Sequence, residues 1–278
     1  MIQKIENIEL DFLTVDDYQQ LKSAMIEAYS NMPNSYWSKA HINLLIDKFP
    51  EGQVVIKINN QLAGCALAIV VDYDSFDKNH TYKDITGDFT FKTHDPNGDV
   101  LYGIDVFIKS EYRGLRLGRR LYDYRKELAE KLNLRGIAFG GRIPNYHKFA
   151  DTLTPKQYIE KVKRKEIHDP VLNFQISNDF HPTRILRNYL EGDEASGEFA
   201  VLLKWDNIYF EKEIKLQYEI DKTDTKFLKD VTEQILNEDN PEMSLSIRGG
   251  GSGAFRSEEN YNAALSNGSF TVYERFVN

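Results

Sequence analysis

A chain of 278 residues, 41% hydrophobic and 28% charged, is long enough to bury a sizeable core and has the composition of a water-soluble globular protein. Its net charge of −8 argues against general affinity for nucleic acid or anionic membranes. A single cysteine, Cys65, excludes an intramolecular disulfide framework and fits a reducing, cytoplasmic setting. The longest apolar run, Ala63–Val71, is too short to span a bilayer, and the first residues, MIQKIENIEL, lack the apolar region of a secretion signal.

In chain order, Glu9–Leu13 reads as a first strand. Thr14 then caps a helix whose apolar face is Tyr18, Leu21, Met25 and Ala28. Ser38 caps a second helix carrying Ile42, Leu45, Ile46 and Phe49, and Pro50 ends it. Val54–Ile58, the Asn59-Asn60 pair and Leu62–Tyr73 form a predicted hairpin, with Cys65 as an inert core thiol. His80–Asn97 is polar and aromatic, an inserted loop or hairpin. Val100–Ile108 is a central strand, apolar on both faces, and the next helix carries Leu117, Leu121, Tyr124, Leu128 and Leu132. Arg135–Ile143 is a further strand, parallel to the central one. Thr154-Pro155 and Asp169-Pro170 each place a cap before a helix-starting proline, and Phe199–Trp205 is the last strand of this part.

The strand-to-helix junction, EYRGLRLGRR, is the most informative stretch. Gly114 and Gly118 bracket it, and Arg113, Arg116, Arg119 and Arg120 charge it. From Lys109 to Arg135 there are nine Lys and Arg against four Asp and Glu, a local excess of five positive charges on an acidic chain. The free N–H groups and the dipole of a helix start favour an anion there. On spacing alone the loop reads equally as a phosphate cradle or as a tight turn with solvated arginines.

The segment Arg113-Gly114-Leu115-Arg116-Leu117-Gly118 resembles the coenzyme A signature of the GCN5-related N-acetyltransferases (GNAT), Gln/Arg-x-x-Gly-x-Gly/Ala, with Arg116 where that motif has glycine. The run from about Tyr18 to Trp205 is similar to the acetyltransferase domain found fused in front of nitrilase-type amidohydrolases. The segments HTYKDITGDFTF, THDPNGDVLYGIDVF, YRGLRLGRRLYDYRKEL, LRGIAFGGRIPNYHKFAD and DPVLNFQISNDFHPTRIL carry the likeness. The nitrilase half has no room in this chain.

The resemblance implies an α/β fold with a GNAT-type mixed, splayed central sheet flanked by helices, over residues 1–210. It implies acetyl-CoA as co-substrate, with pyrophosphate on the amides of Gly114, Leu115, Arg116, Leu117, Gly118 and Arg119 beside Arg113. The pantetheine arm would pair with the backbone of Val106, Phe107 and Ile108. It further implies direct attack of an amine on the thioester, with positioning, proton removal and carbonyl polarisation supplied by the protein. In the family a tyrosine on the helix after the fifth strand often protonates the departing thiolate. Here Gln175 falls in its place, and His168 falls where an asparagine is usual. Candidate catalytic residues are Tyr146 and His147, just after the fifth strand, and Asp105 on the central strand. Each has a plainer reading, respectively as a packed aromatic, a surface histidine and a structural hydrogen-bond acceptor.

The histidines are scattered without ligand spacing, so no metal site is expected. The run Gly249–Ala254 has the outline of a dinucleotide fingerprint, but too few residues follow it for a nucleotide-binding fold, and it reads as a flexible turn. Residues 211–278 fit a small α/β domain of unassigned role. In that domain Lys215–Ile220, Met243–Arg248 and Phe270–Val277 are predicted strands, and Thr225–Leu236 and Ser257–Leu265 predicted helices. This domain is a candidate surface for a protein partner or a second copy. The expectation is an acetyl-CoA-dependent N-acetyltransferase acting on an amine, with a cationic small molecule or a lysine as acceptor on grounds of the acidic balance. A non-catalytic acyl-CoA-binding or interaction module is the alternative.

Overall fold

A computed structural model describes residues 5–30, 32 and 36–211, together with three strands further on. The chain divides into two compact units, Met1–Phe210 and Glu211–Asn278.

The first unit is built on a seven-stranded sheet. Its strands are β1 (Ile8–Phe12), β2 (Gln53–Ile58), β3 (Gln61–Val71), β4 (Val100–Ile108), β5 (Gly136–Arg142), β6 (His181–Leu186) and β7 (Ala200–Asp206), in the order β1-β2-β3-β4-β5-β7-β6. Neighbours are antiparallel except β4 and β5, which run parallel. This is the mixed sheet the sequence leads one to expect, with β6 as an addition. His181–Leu186 is half-exposed and carries His181, Thr183 and Arg184 among its first four residues, so its pattern lacks an apolar run. It pairs at the sheet edge with β7.

The local signals act as their chemistry predicts. The Thr14 hydroxyl and amide both donate to Asp17, and α1 (Tyr18–Ala28) follows with Tyr18, Leu21 and Met25 buried. The Ser38 hydroxyl accepts from the His41 amide at the start of α2 (Lys39–Lys48). Asn59 and Asn60 both take positive φ, +48° and +63°, and turn β2 into β3 tightly. Residues 80–97 form a short helix, α3 (Tyr82–Ile85), and a series of turns in place of a hairpin. Phe91 and His80 from this segment are buried in the core, which is why it is rich in aromatics.

Helices α4 (Leu117–Lys131), α5 (Pro155–Lys163) and α6 (Pro170–Ile176) complete the unit. On α4 the buried stripe is Leu117, Leu121, Tyr122, Arg125, Leu128 and Ala129. Leu132, predicted to lie on that stripe, is 41% exposed because α4 has ended at Lys131. Asp169 caps α6 through the amides of Val171 and Leu172 and also accepts the buried Tyr158 hydroxyl at 2.7 Å. Cys65 is fully buried on β3, and burial pushes its thiol well above the usual range.

In the second unit β8 (Ile214–Leu216), β9 (Leu245–Arg248) and β10 (Thr271–Glu274) form an antiparallel sheet in the order β8-β10-β9. The predicted helices there and the glycine run lie outside the described residues.

Candidate active site

The two halves of the main sheet meet only briefly. β4 and β5 pair over Val100–Tyr102 and Gly136–Ala138, and beyond those residues they diverge. The gap opens into a cleft of about 450 Å³, whose floor is Gly103–Val106 on one side and Phe139, Gly140 and Arg142 on the other. Past Tyr102 that edge of β4 has no strand beside it among the described residues.

A bulge shapes β4 at this point. Asp105 pairs with Leu67 and Gly103 with Ala68, so Ile104 is an extra residue. Arg125 reaches in from α4, only 2% exposed, and its Nη2 donates to the Leu67 carbonyl at 2.6 Å and the Asp105 carbonyl at 2.5 Å. It thereby gives two carbonyls at the bulge a charged donor. A side chain at Gly103 would begin 3.0 Å from the same guanidinium.

Asp105 projects into the cleft, where the Tyr29 hydroxyl donates to its carboxylate. Burial pushes the Asp105 carboxyl above its usual value, and the Tyr29 hydrogen bond and nearby Arg125 hold part of that rise back. The same environment pushes the Tyr29 phenol well above its usual value. Aromatic faces from Trp37, Tyr82 and Tyr189 line the walls, with Trp37 and Tyr82 centred 6.1 Å apart and Tyr82 and Tyr189 5.8 Å apart. Arg142 also borders the cleft, but its charge is engaged: Nε and Nη2 clamp the buried Asp193 carboxylate at 2.7 and 2.5 Å. Gln175 on α6 lines the cleft above Gly141, where a Cβ would stand 2.2 Å from its Oε1.

The other two sequence candidates lie elsewhere. Tyr146 is 6% exposed, packs edge-on against Tyr158 and Phe199, and donates to the Leu153 carbonyl at 3.0 Å. His147 is exposed, with Nδ1 2.8 Å from the Pro144 carbonyl. Neither lines the cleft. Sequence order places both just after β5, but the short helical turn Tyr146–Lys148 sets them apart from the cleft floor.

The basic loop leads from β4 into α4. Gly114 takes φ +84°, and a Cβ there would meet no atom within 4 Å. Arg116, at the family's glycine position, takes the left-handed conformation glycine would favour, φ +58°. It precedes α4 as its N-cap without a side-chain cap, so the first amides, those of Leu117, Gly118 and Arg119, are left for an external acceptor. Arg113, Arg116, Arg119 and Arg120 are all exposed around it. Gly118 is buried against the Phe174 ring. This arrangement fits a pyrophosphate, and the unpaired β4 edge that runs back from the loop to the cleft fits an extended amide-bearing arm.

Residues 18–148 match the model of the acetyltransferase (GNAT) family. The "Uncharacterized N-acetyltransferase YkwB" of Bacillus subtilis is 32% identical over 212 residues, spanning 76% of this chain and 93% of that relative. The chain belongs to the GNAT family. Membership of this family supports acyl transfer from an acyl-CoA thioester.

Another Bacillus subtilis protein, "Probable hydrolase YhcX", is 42% identical over 183 residues, covering 66% of this chain. The match covers 36% of that relative's length, so the chain spans about a third of it. Among solved structures, the loading GNATL domain of CurA from Lyngbya majuscula aligns with a TM-score of 0.64 at 19% identity, over 73% of this chain and 98% of that one. The GphF GNAT-like decarboxylase in complex with isobutyryl-CoA aligns with a TM-score of 0.63 at 17% identity, over 72% and 99%. At these identities the likeness establishes the fold.

No helix among the described residues is long and apolar enough to cross a membrane, and no group of three or more His, Cys, Asp or Glu among them is placed to hold a metal ion.

Proposed function

We propose that the chain moves an acetyl group from acetyl-CoA to a primary amine by direct attack of the amine nitrogen on the thioester carbon. The observation that carries this reading is the continuity of three features: the uncapped, arginine-ringed start of α4, the unpaired edge of β4, and the cleft opened by the divergence of β4 and β5. Pyrophosphate would sit on the Gly114–Arg119 amides, and the pantetheine arm would run along Val106–Ile108. That course delivers the thioester to the cleft floor at Asp105 and Gly140. Holding both reactants there converts a bimolecular step into an intramolecular one.

The acceptor is a cationic amine in this reading. Asp105 and Glu191 border the cleft together with the aromatic faces of Tyr29, Trp37 and Tyr82, a combination that attracts an ammonium group. The Arg142 charge is offset by Asp193. Comparable turnover of neutral or anionic amines would overturn this assignment.

Gln175, in the place of the family's tyrosine, favours a second reading, because an amide cannot release a proton to a thiolate. In that reading the chain is an acyl-CoA-binding or interaction module without turnover. Calorimetric titration with acetyl-CoA, combined with a free-thiol assay across a panel of amines, separates the two. Binding with thiol release supports the transferase. Binding without release on any amine supports the module. No binding means that the Arg113–Gly118 loop has been misread.

A further inference from the structure

His80 is a buried titratable residue with no part in the site as described so far. It is 1% exposed and sits in a turn ahead of α3. Its Nδ1 lies 3.2 Å from the Asp77 carbonyl and its Nε2 lies 3.0 Å from the Tyr102 hydroxyl. The Tyr102 hydroxyl, wholly buried on β4, lies 2.9 Å from the Tyr189 hydroxyl. Tyr189 is 4% exposed and forms part of the cleft wall over Gly140, where a Cβ would stand 2.7 Å from its hydroxyl oxygen. The three side chains make a continuous line of polar atoms from the Asp77 turn, through the core, to the divergence of β4 and β5.

The chemistry of the partners gives this line a direction. A carbonyl oxygen only accepts, so Nδ1 of His80 carries the hydrogen that faces Asp77. In a neutral imidazole Nε2 is then a lone pair, and Tyr102 must donate to it. The Tyr102 oxygen therefore accepts from Tyr189, and the Tyr189 oxygen, which also accepts from the Gly140 amide, has one lone pair left to accept a proton.

We infer that His80, Tyr102 and Tyr189 form a buried proton relay ending at the cleft, in which Tyr189 is the catalytic residue that exchanges a proton with the reacting groups. The inference rests on the acyl-transfer reading above. The bound ammonium first loses one proton to solvent; as the neutral nitrogen then forms the N–C bond and the C–S bond breaks, it gives a second proton to the Tyr189 oxygen. The Tyr189 hydroxyl proton passes to Tyr102 and the Tyr102 proton to Nε2, leaving a doubly protonated His80. The departing thiolate takes the proton back along the same line, so the relay ends as it began. It supplies the proton that Gln175 cannot.

The surroundings of His80 suit a base that must stay neutral. Tyr73, Phe76, Tyr102 and Tyr189 pack around the ring. Burial pushes its pKa below the usual 6.5. Among the charged groups that act on it, Asp77 on its own turn and Asp84 on α3 oppose that fall, and Arg184 on β6 adds to it.

The test is the pH dependence of kcat/KM, followed by thiol release in the unmodified chain, Tyr102→Phe and Asp105→Asn. Tyr102→Phe deletes one oxygen from the middle of the line and leaves both ends in place. The unmodified chain should lose activity on an acid limb centred below pH 6.5. Tyr102→Phe should lower kcat about 100-fold, abolish that limb and leave acetyl-CoA affinity unchanged. A Tyr102→Phe limb and rate equal to those of the unmodified chain would overturn the relay, as would a limb that moves only in Asp105→Asn. No thiol release from the unmodified chain would overturn the acyl-transfer reading and the relay's catalytic role with it. Nitrogen NMR of the imidazoles, with His80 assigned by His80→Asn, reads the relay without turnover. The Nδ1–H tautomer supports it, and the Nε2–H tautomer overturns it.

Discussion

A methyl group placed on Gly118 would stand 2.6 Å from Cζ of Phe174. The last glycine of the coenzyme A motif is therefore also where α4 and α6 touch, since Gly118 lies in the first turn of α4 and Phe174 in the middle of α6. Gly118→Ala must displace that ring or the helix start. Overpacking of this kind costs about 1–3 kcal/mol. A thermal melt should fall by several degrees, and Phe174→Leu in the same chain should recover part of the loss. An additive effect of the two substitutions would show that the contact is not the cause.

Arg116 separates backbone from charge in the same loop. Arg116→Ala and Arg116→Gly both remove the cation, but only alanine retains the cost of a left-handed conformation, about 1 kcal/mol. The glycine variant should be the more stable of the two in urea by up to that amount, after the entropy glycine gains in the unfolded chain. Both should weaken acetyl-CoA binding to a similar degree, and the salt dependence of binding should flatten in both. Loss of affinity in the alanine variant alone would place the contribution of Arg116 in its backbone.

The Arg142–Asp193 pair is bidentate, and the Asp193 side chain is 2% exposed. Removing one partner of a buried pair leaves an uncompensated charge, at a cost of about 3–5 kcal/mol. Asp193→Ala should therefore lower the urea midpoint strongly and free a guanidinium at the cleft edge. The KM for a cationic amine should rise as a result. Asp193→Asn, which keeps an acceptor for Arg142, should lose less in both measurements.

The Asp105 carboxyl is raised above its usual 3.8, with burial as the leading cause. A raised acid binds its proton more tightly in the folded chain, so its ionisation opposes folding. That penalty is fully present above the folded pKa and disappears as pH falls to the unfolded value near 3.8. Asp105→Asn, which keeps an acceptor for the Tyr29 hydroxyl, should raise the melting temperature at pH 7. The gain should shrink as pH approaches 4. A gain independent of pH would mean that the carboxylate is not desolvated.

The sequence made the sheet legible wherever one chemical signal dominated. The Asn59-Asn60 turn, the Thr14 and Ser38 caps and the apolar Val100–Ile108 run each act locally, so each could be read without knowing the fold. β6 escaped because an edge strand needs no apolar run, and Pro182 and Arg184 hid it further. The loop at Arg113–Gly118 was legible from its glycines and charge. The cleft was not, because its walls are assembled from β4, β5, α2, α3, α4 and α6, from the segment between α1 and α2 and from the segment before β7. Of the residues singled out for chemistry, Asp105 lies in the cleft, whereas proximity to β5 in sequence drew attention to Tyr146 and His147. His80 and Tyr189 carried no signal in the chain, since the contacts that matter to them join residues as far apart as Tyr102 and Tyr189.

The short join between β4 and β5 has a mechanical consequence. Three residue pairs at one end hold the two half-sheets as a spine holds the covers of a book. Past that spine, on the open side, no strand ladder among the described residues carries load between the covers, and packing of α4 and α6 against them must carry it. Small relative tilts of the halves change the width of the opening most at its far end and least at Tyr102. A guest whose own amides bridge the open side would act as a clasp, and its arrival should be felt as stiffness along the whole of β4.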